Sequence, residues 1–302
     1  MRIQRSEDAM GSWFAVDLHG PDRGALEAAA DAVFDEVHRI DRLLSNYRPA
    51  SELSRLNRDA PAGPVPVSDE LFDLLRACLD YSRQTGGAFD VTVGALMKAW
   101  GFYRGEGRRP RPADVARALD RVGHQHVWLD ENGRTARFLR PGLELDPGGI
   151  GKGYAVDRMV AVLRAHGVGA ALVSAAGSSI YGLGAPPGEP AGWRVSIGVP
   201  GELATPAAVV HLRDLSLSTS GSYEQFFMAG GTRYPHVIDP RTGYPAQGVA
   251  SVSVMAARAM DGEVWTKPYF VNGRDWTVAN RRPDQRVLFC DAGSGAACSW
   301  ID

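Results

Sequence analysis

Between Arg23 and about Leu44, the side chains of Leu26, Ala30, Val33, Val37, Ile40 and Leu44 recur at steps of three and four residues. That spacing lays them along one side of a long helix, so the chain must supply a second apolar layer for the helix to cover. Short β-rich runs are the candidates. Ser12 to Leu18 carries Trp13, Phe14, Val16 and Leu18 before a His-Gly-Pro-Asp turn and reads as an opening strand. His126 to Leu129 and Thr135 to Leu139 flank Glu131-Asn132-Gly133, and Asn-Gly accepts the positive φ angles of a tight hairpin turn. Val249 to Val254 and Val287 to Cys290 read as later strands.

Further helices are expected after Ser68, which precedes Asp69 and Glu70 as an N-cap, and from Pro110 and Pro112 to about Val122. Two more are expected at about Tyr154 to Ala165, stopped by Gly167, and near Met260 to Val271. Arg58 to Val67 holds Pro61, Gly63, Pro64 and Pro66 and reads as a loop, and Thr85 to Gly94 as the beginning of a strand. Hairpins and isolated helices without regular βαβ alternation predict an α+β fold of mainly antiparallel sheets with packed helices. The Pro-rich stretch from Gly184 to Gly192 is a surface excursion or a subdomain joint. Residues 1–302 therefore read as a single domain or as two intertwined subdomains.

A chain of 302 residues, 44% hydrophobic and 23% charged, is ordinary globular material. A net charge of −2 offers no electrostatic footprint for nucleic acid or an acidic membrane surface. The uncharged stretch from Ala165 to Gly188 is too rich in Gly, Ser and Pro for a membrane span, so stable membrane insertion is not expected. The opening MRIQRSEDAMGSW has no apolar run of the kind that a signal peptide carries. Cys78, Cys290 and Cys298 form no CxxC pair, which points to buried packing, a reduced compartment and a cytoplasmic protein. Among 33 basic residues, only Lys98, Lys152 and Lys267 are lysines, so each merits individual scrutiny.

Three segments carry chemistry. Asp146-Pro147-Gly148-Gly149-Ile150-Gly151-Lys152-Gly153-Tyr154 places four glycines before a helix, where backbone N–H groups can approach an anion and the helix terminus adds partial positive charge. It is neither a P-loop, which needs Ser or Thr at Gly153, nor the dinucleotide fingerprint, which needs Gly at Tyr154. A tight turn with a solvated Lys is the other reading. Tyr234 to Gly243 sets His236, Asp239 and Arg241 around a turn, where a neutral imidazole can take a proton from an attacking hydroxyl; a buried, satisfied His236 is the alternative. Ser218 to Tyr223 is a cluster of hydroxyls and Gly, or simply a strand end.

Taken in order, these pieces resemble the ApbE-type family, the FAD:protein FMN transferases. The resemblance runs from Met10 to about Gly273. It rests on Met10-Gly11-Ser12, Ser45-Asn46-Tyr47 with Ser51 to Asn57, Gly87 to Asp90 with Trp100-Gly101-Phe102, Asp146 to Asp157, Thr219 to Tyr223, and His236 to Gly243. It implies an ApbE-like fold and a magnesium-dependent enzyme that splits FAD and moves FMN onto a Thr or Ser hydroxyl of a partner flavoprotein, releasing AMP. By position, it places Met10, Tyr47, Ala88, Phe89, Asp90, Asp146, Lys152 and His236 at the FAD site, with a Gly149 carbonyl on the metal. His236 is the candidate base.

The chain departs from the family at two places. Family members supply side-chain metal ligands from a late Asp followed four positions on by Thr; here those places hold Glu263 and Lys267. A protonated Lys has donors only and is no metal ligand. Either a slipped register brings Asp261 or Glu263 with Thr266 to magnesium, or the Lys267 ammonium occupies the cation's position; spacing suited to a Glu263–Lys267 pair favours the second. That pair can also be a plain helix contact. At the other departure, Ala176 stands where the family has Gly, and its methyl is expected to crowd what the Gly admits. Two functions compete with transfer: a flavin-binding carrier or sensor, and a FAD pyrophosphate hydrolase.

Overall fold

The computed structural model describes residues 1–103, 105, 107–293 and 297–301. The chain opens with a hairpin of β1 (Arg2–Ala9) and β2 (Ser12–His19), then α1 (Arg23–Leu44), α2 (Glu52–Asp59), β3 (Val65–Pro66) and α3 (Asp69–Gln84). Short helices α4 (Gly94–Ala99) and α5 (Pro112–Leu119) precede the hairpin of β4 (Val127–Asp130) and β5 (Thr135–Phe138). Next come α6 (Gly151–Ala165), β6 (Ala170–Ala175), β7 (Ser179–Leu183), β8 (Trp193–Val199), β9 (Glu202–Leu212) and β10 (Leu215–Gly221). The last part holds β11 (Phe226–Ala229), β12 (Thr232–Pro235), β13 (Val249–Ala256), α7 (Ala259–Asn280), β14 (Arg286–Asp291) and β15 (Cys298–Ile301).

Eight strands form one sheet in the order β1-β2-β6-β7-β10-β13-β14-β15, every neighbouring pair antiparallel. The expected α+β class with mainly antiparallel sheets is therefore the observed one. All of β13 is buried because both faces of this central strand are covered. Val252, Val254 and Ala256 point toward α7, while Met255 joins Trp193, Val210 and Leu212 of the β8–β9 hairpin on the other face. The stripe of α1 packs into the largest core with α3 and α6. Asp22 caps α1 by accepting from Ala25 N–H, and Ser68 caps α3 through Leu71 N–H.

Several expectations change. Cys290 and Cys298 are not both free packing residues: they face each other across β14 and β15 and form a disulfide, while Cys78 is buried and free. The argument from cysteine usage for a reducing compartment falls with that pair. Residues 85–92 form turns and bends, where Gly86 and Gly87 take φ of 58° and 78°, and Val93 makes only an isolated parallel bridge to Glu144, so no strand forms there. The start of the expected loop at Arg58 lies in α2, and β3 occupies its end. Helix α6 begins at Gly151, three residues before the expected start, which puts Lys152 in its first turn. In the β4–β5 turn the positive φ falls on Arg134, at 46°, instead of on Asn132 or Gly133. No helix among the described residues is long and apolar enough to cross a membrane.

The N-termini of α6 and α7 meet and cap each other. Asp157 of α6 accepts from the N–H groups of Ala259 and Met260 at 2.8 and 3.0 Å, and Glu263 of α7 accepts from Gly153 N–H at 2.5 Å. Each carboxylate satisfies donors that a helix start leaves without intrahelical acceptors. The approach is close enough that a Cβ on Gly153 would stand 2.5 Å from the Ala259 carbonyl oxygen and 2.8 Å from the Met260 Cα, both backbone. Gly153→Ala should therefore lower stability by about 2 kcal/mol through overpacking, read as a lower urea midpoint; an unchanged midpoint would show that the two helices separate without cost.

Candidate functional site

The reciprocal caps bring the glycine-rich turn, Lys152 and Lys267 to the floor of one cleft of about 380 Å³. Asp146 enters the turn with its backbone N–H on the Val91 carbonyl and its carboxylate accepting from Gly148 N–H at 2.8 Å. Burial raises the Asp146 pKa, an effect that the Gly148 bond opposes. None of the four glycines adopts a positive φ. Gly153 is there for helix packing, and its N–H is taken by Glu263. In the first turn of α6, Tyr154 N–H bonds the Ile150 carbonyl, so Gly151 and Lys152 present the N–H groups suited to a ligand. Lys152 Nζ donates to the Ser178 hydroxyl at 2.5 Å.

One wall comes from the turn after α3. Thr85 Oγ1 donates to the Tyr81 carbonyl and accepts from Phe89 N–H, which sets Ala88 and Phe89 along the cleft. Asp90 also borders the cleft, but its carboxylate is spent on structure. One oxygen accepts from Thr92 N–H and Oγ1; the other accepts from His124 N–H and lies 3.2 Å from the His124 ring. Asp90 thus stands at the cleft, as expected, with its carboxylate also holding the wall together.

His236 enters from the opposite side, at the base of the β11–β12 hairpin. Phe227 and Tyr234 stack at 5.1 Å between ring centroids, and both pack on Trp100, whose indole N–H donates to the Gly243 carbonyl. The Trp100-Gly101-Phe102 segment thus anchors the hairpin, with Phe102 edge-on to the His236 ring. His236 Nδ1 lies 3.1 Å from the Gln225 carbonyl oxygen. A carbonyl only accepts, so Nδ1 carries the proton and Nε2 keeps a free lone pair. Burial pushes the His236 pKa down to about 4; the Gln225 bond opposes this, and the charges of Lys267 and Lys152 add to it. The ring is neutral at pH 7.

At the mouth, Tyr47 stacks on Tyr103 at 5.1 Å and keeps nearly half of its surface in solvent. Met10 and Gly11 form the two-residue turn between β1 and β2 with φ of 53° and 70°. Positive φ at both positions is what a type I′ turn demands, and Met is a strained choice for it. The strained backbone aims Met10 Cε at Gly151, 3.4 Å from where a Cβ there would stand. Every expected FAD-site residue, from Met10 to His236, borders this one cleft.

The expected metal ligands do not converge. Gly149 and Glu263 line the cleft, but Asp261 and Thr266 do not. Asp261 accepts from Tyr81 and from Arg258, and Thr266 Oγ1 bonds Ser220 Oγ and the Glu263 carbonyl, each at 2.7 Å. Lys267 stands in the cleft instead, its Nζ donating to the Glu263 carbonyl at 2.9 Å. No group of three or more His, Cys, Asp and Glu suited to a metal occurs among the described residues. Ala176 is likewise away from the cleft; its cost is a φ of 52° in the β6–β7 turn. Sequence reasoning gave no role to Asp157, Ser178 or Gln225, which act across long separations or through a backbone carbonyl. Met10→Asn, suited to positive φ, should raise stability by about 1 kcal/mol in urea unfolding; a lowered midpoint would show that Met10 packing outweighs turn strain.

Comparison with known proteins bears out the family resemblance. The ApbE family profile matches residues 10–289. The FAD:protein FMN transferase of Treponema pallidum is 34% identical over an alignment covering 99% of this chain and 87% of that protein. The ApbE protein of Thermotoga maritima superposes with a TM-score of 0.89 at 28% identity, covering 99% of this chain and 97% of the other. The flavinyl transferase ApbE of Pseudomonas stutzeri gives 0.88 at 28% identity, with 100% and 95% covered. With a profile match spanning nearly its whole length and the same architecture, the chain belongs to the ApbE family.

Proposed function

We propose that this chain is a FAD:protein FMN transferase, attaching FMN through a phosphoester to a Thr or Ser of a partner flavoprotein and releasing AMP. The observation that carries this reading is the meeting, in one cleft, of a neutral histidine, two lysines and an open helix N-terminus. A hydroxyl oxygen attacks the phosphorus of the FMN half, and the bond from that phosphorus to the bridging oxygen breaks. AMP leaves with the bridging oxygen and its electron pair. The hydroxyl proton passes to His236 Nε2, oriented by Gln225.

The remaining work is positioning and charge neutralisation, as in other phosphoryl transfers. The Gly151 and Lys152 N–H groups and the Lys152 ammonium face the diphosphate, Tyr47 and Met10 bound the flavin end, and Phe89 closes the wall. Magnesium does not suit the Glu263–Lys267 pair that stands at the expected ligand places. It takes one or two carboxylates in octahedral geometry, whereas Glu263 has one carboxylate oxygen on Gly153 and an ammonium beside it. No step is routed through a metal.

Incubation of the purified chain with FAD and a candidate acceptor flavoprotein should yield AMP and an acceptor heavier by FMN. AMP without a mass gain would show a hydrolase, and bound FAD without AMP a carrier. His236→Ala should leave FAD affinity within about twofold and slow transfer by about 10²-fold or more; equal rates would remove His236 from the mechanism. Because the His236 pKa is lowered, the base stays active until pH falls through about 4. The acid limb of kcat/KM should therefore lie near 4, and a limb near 6.5 would contradict a buried, neutral base.

A further inference from the structure

Two of the three lysines of the chain stand at the cleft, and the third stands beside it. Lys152 and Lys267 line its main chamber, and Lys98 lines an adjoining polar pocket that shares Asn46, Tyr103 and Asp146 with it. Their charges are not equally free. Lys98 is paired with Glu144 at 2.7 Å, which neutralises it. Lys152 donates to a serine hydroxyl, and among the described residues it has no ion pair. Lys267 donates to a main-chain carbonyl at 2.9 Å, while the nearest Glu263 carboxylate oxygen is 4.0 Å away. The other oxygen of that carboxylate is committed to Gly153 N–H at 2.5 Å. Glu263 thus serves the helix cap first and Lys267 second.

The position of Lys267 is also fixed from the glycine turn. Its Cε lies 3.5 Å from where a Cβ on Gly149 would stand, and the Phe89 ring closes the same spot at 3.2 Å. Side-chain bulk at Gly149 would press on both. The ammonium therefore reaches from α7 into the hollow of the turn that precedes α6, with one N–H on the Glu263 carbonyl and two further donors available.

We propose that Lys267 is a built-in counter-cation for the diphosphate of FAD, so that this chain binds and splits its dinucleotide without a divalent metal. The proposal rests on the reading of the cleft as a FAD site. Two ammonium groups, Lys152 and Lys267, face the two negative charges of the diphosphate, with the Glu224 carboxylate also at the cleft and acting on Lys267. During transfer the charge that builds on the bridging oxygen of departing AMP meets a fixed donor. The same ammonium repels a divalent ion from this hollow, so metal and lysine are alternatives there. Lys267 makes fold contacts as well: a stem without the ammonium keeps the packing beside Gly149 and loses the Nζ bond to the Glu263 carbonyl.

The test is FAD binding, read by flavin fluorescence in EDTA and in millimolar magnesium, with circular dichroism melts as a check on folding. The wild-type affinity should change by less than about threefold between the two conditions, and AMP release should persist in EDTA. Lys267→Met, which keeps the stem without the charge, should lose about tenfold or more in affinity in EDTA. Lys267→Thr should do the same and recover with magnesium. A wild-type protein that loses FAD in EDTA and regains it with magnesium would overturn the proposal while leaving the FAD site intact, as would a Lys267→Met protein with unaltered affinity. Absence of FAD binding in every condition would overturn both.

Discussion

Two helix starts that cap each other hold the site in register. An α-helix begins with N–H groups that have no partner in the helix, and partial positive charge gathers there. Here Asp157 of α6 closes the start of α7, and Glu263 of α7 closes the start of α6. The exchange is possible only because Gly153 lets the two backbones touch. It fixes the direction in which Lys152 and Lys267 leave their helices, and so the separation of two charges over the glycine turn. Burial raises the Asp157 pKa to about 6, with the two N–H bonds opposing, so this arrangement tolerates a costly carboxylate to keep its geometry.

The rest of the fold serves that junction. The eight-stranded sheet carries α6 and α7 on one face through Val252, Val254 and the α1 stripe, and the β8–β9 hairpin covers the other. The β11–β12 hairpin is anchored by ring stacking on Trp100, which brings His236 over the floor without tying it to the main sheet. The base and the cations thus come from separately supported elements. A change in one can leave the other in place.

Much of this was legible in the sequence where side chains repeat. The α1 boundaries follow from six apolar positions, and the Ser68 cap from its two acidic followers. Strand β1 escaped because RIQRSEDA buries only Ile3 and Ala9 at an edge, and α2 because ELSRLNRD has only Leu53 and Leu56 to mark a period. The disulfide was hidden because eight intervening steps in sequence say nothing of strand pairing. The site residues were legible only through resemblance, and their roles less so. The Asp90 carboxylate also holds His124, Glu263 caps a glycine 110 residues away, and Asp261 pairs with Tyr81 and Arg258. Such roles depend on contacts between remote segments, which composition and spacing do not encode.

The most direct measurement is a crystal structure of the chain with FAD. The diphosphate should lie between the Gly151 and Lys152 N–H groups and Lys267 Nζ, with nitrogen–oxygen distances of about 3 Å, and with Nε2 of His236 facing the phosphorus of the FMN half. A diphosphate seated in the Lys98–Glu144 pocket, or left in solvent while the flavin binds elsewhere, would contradict the account.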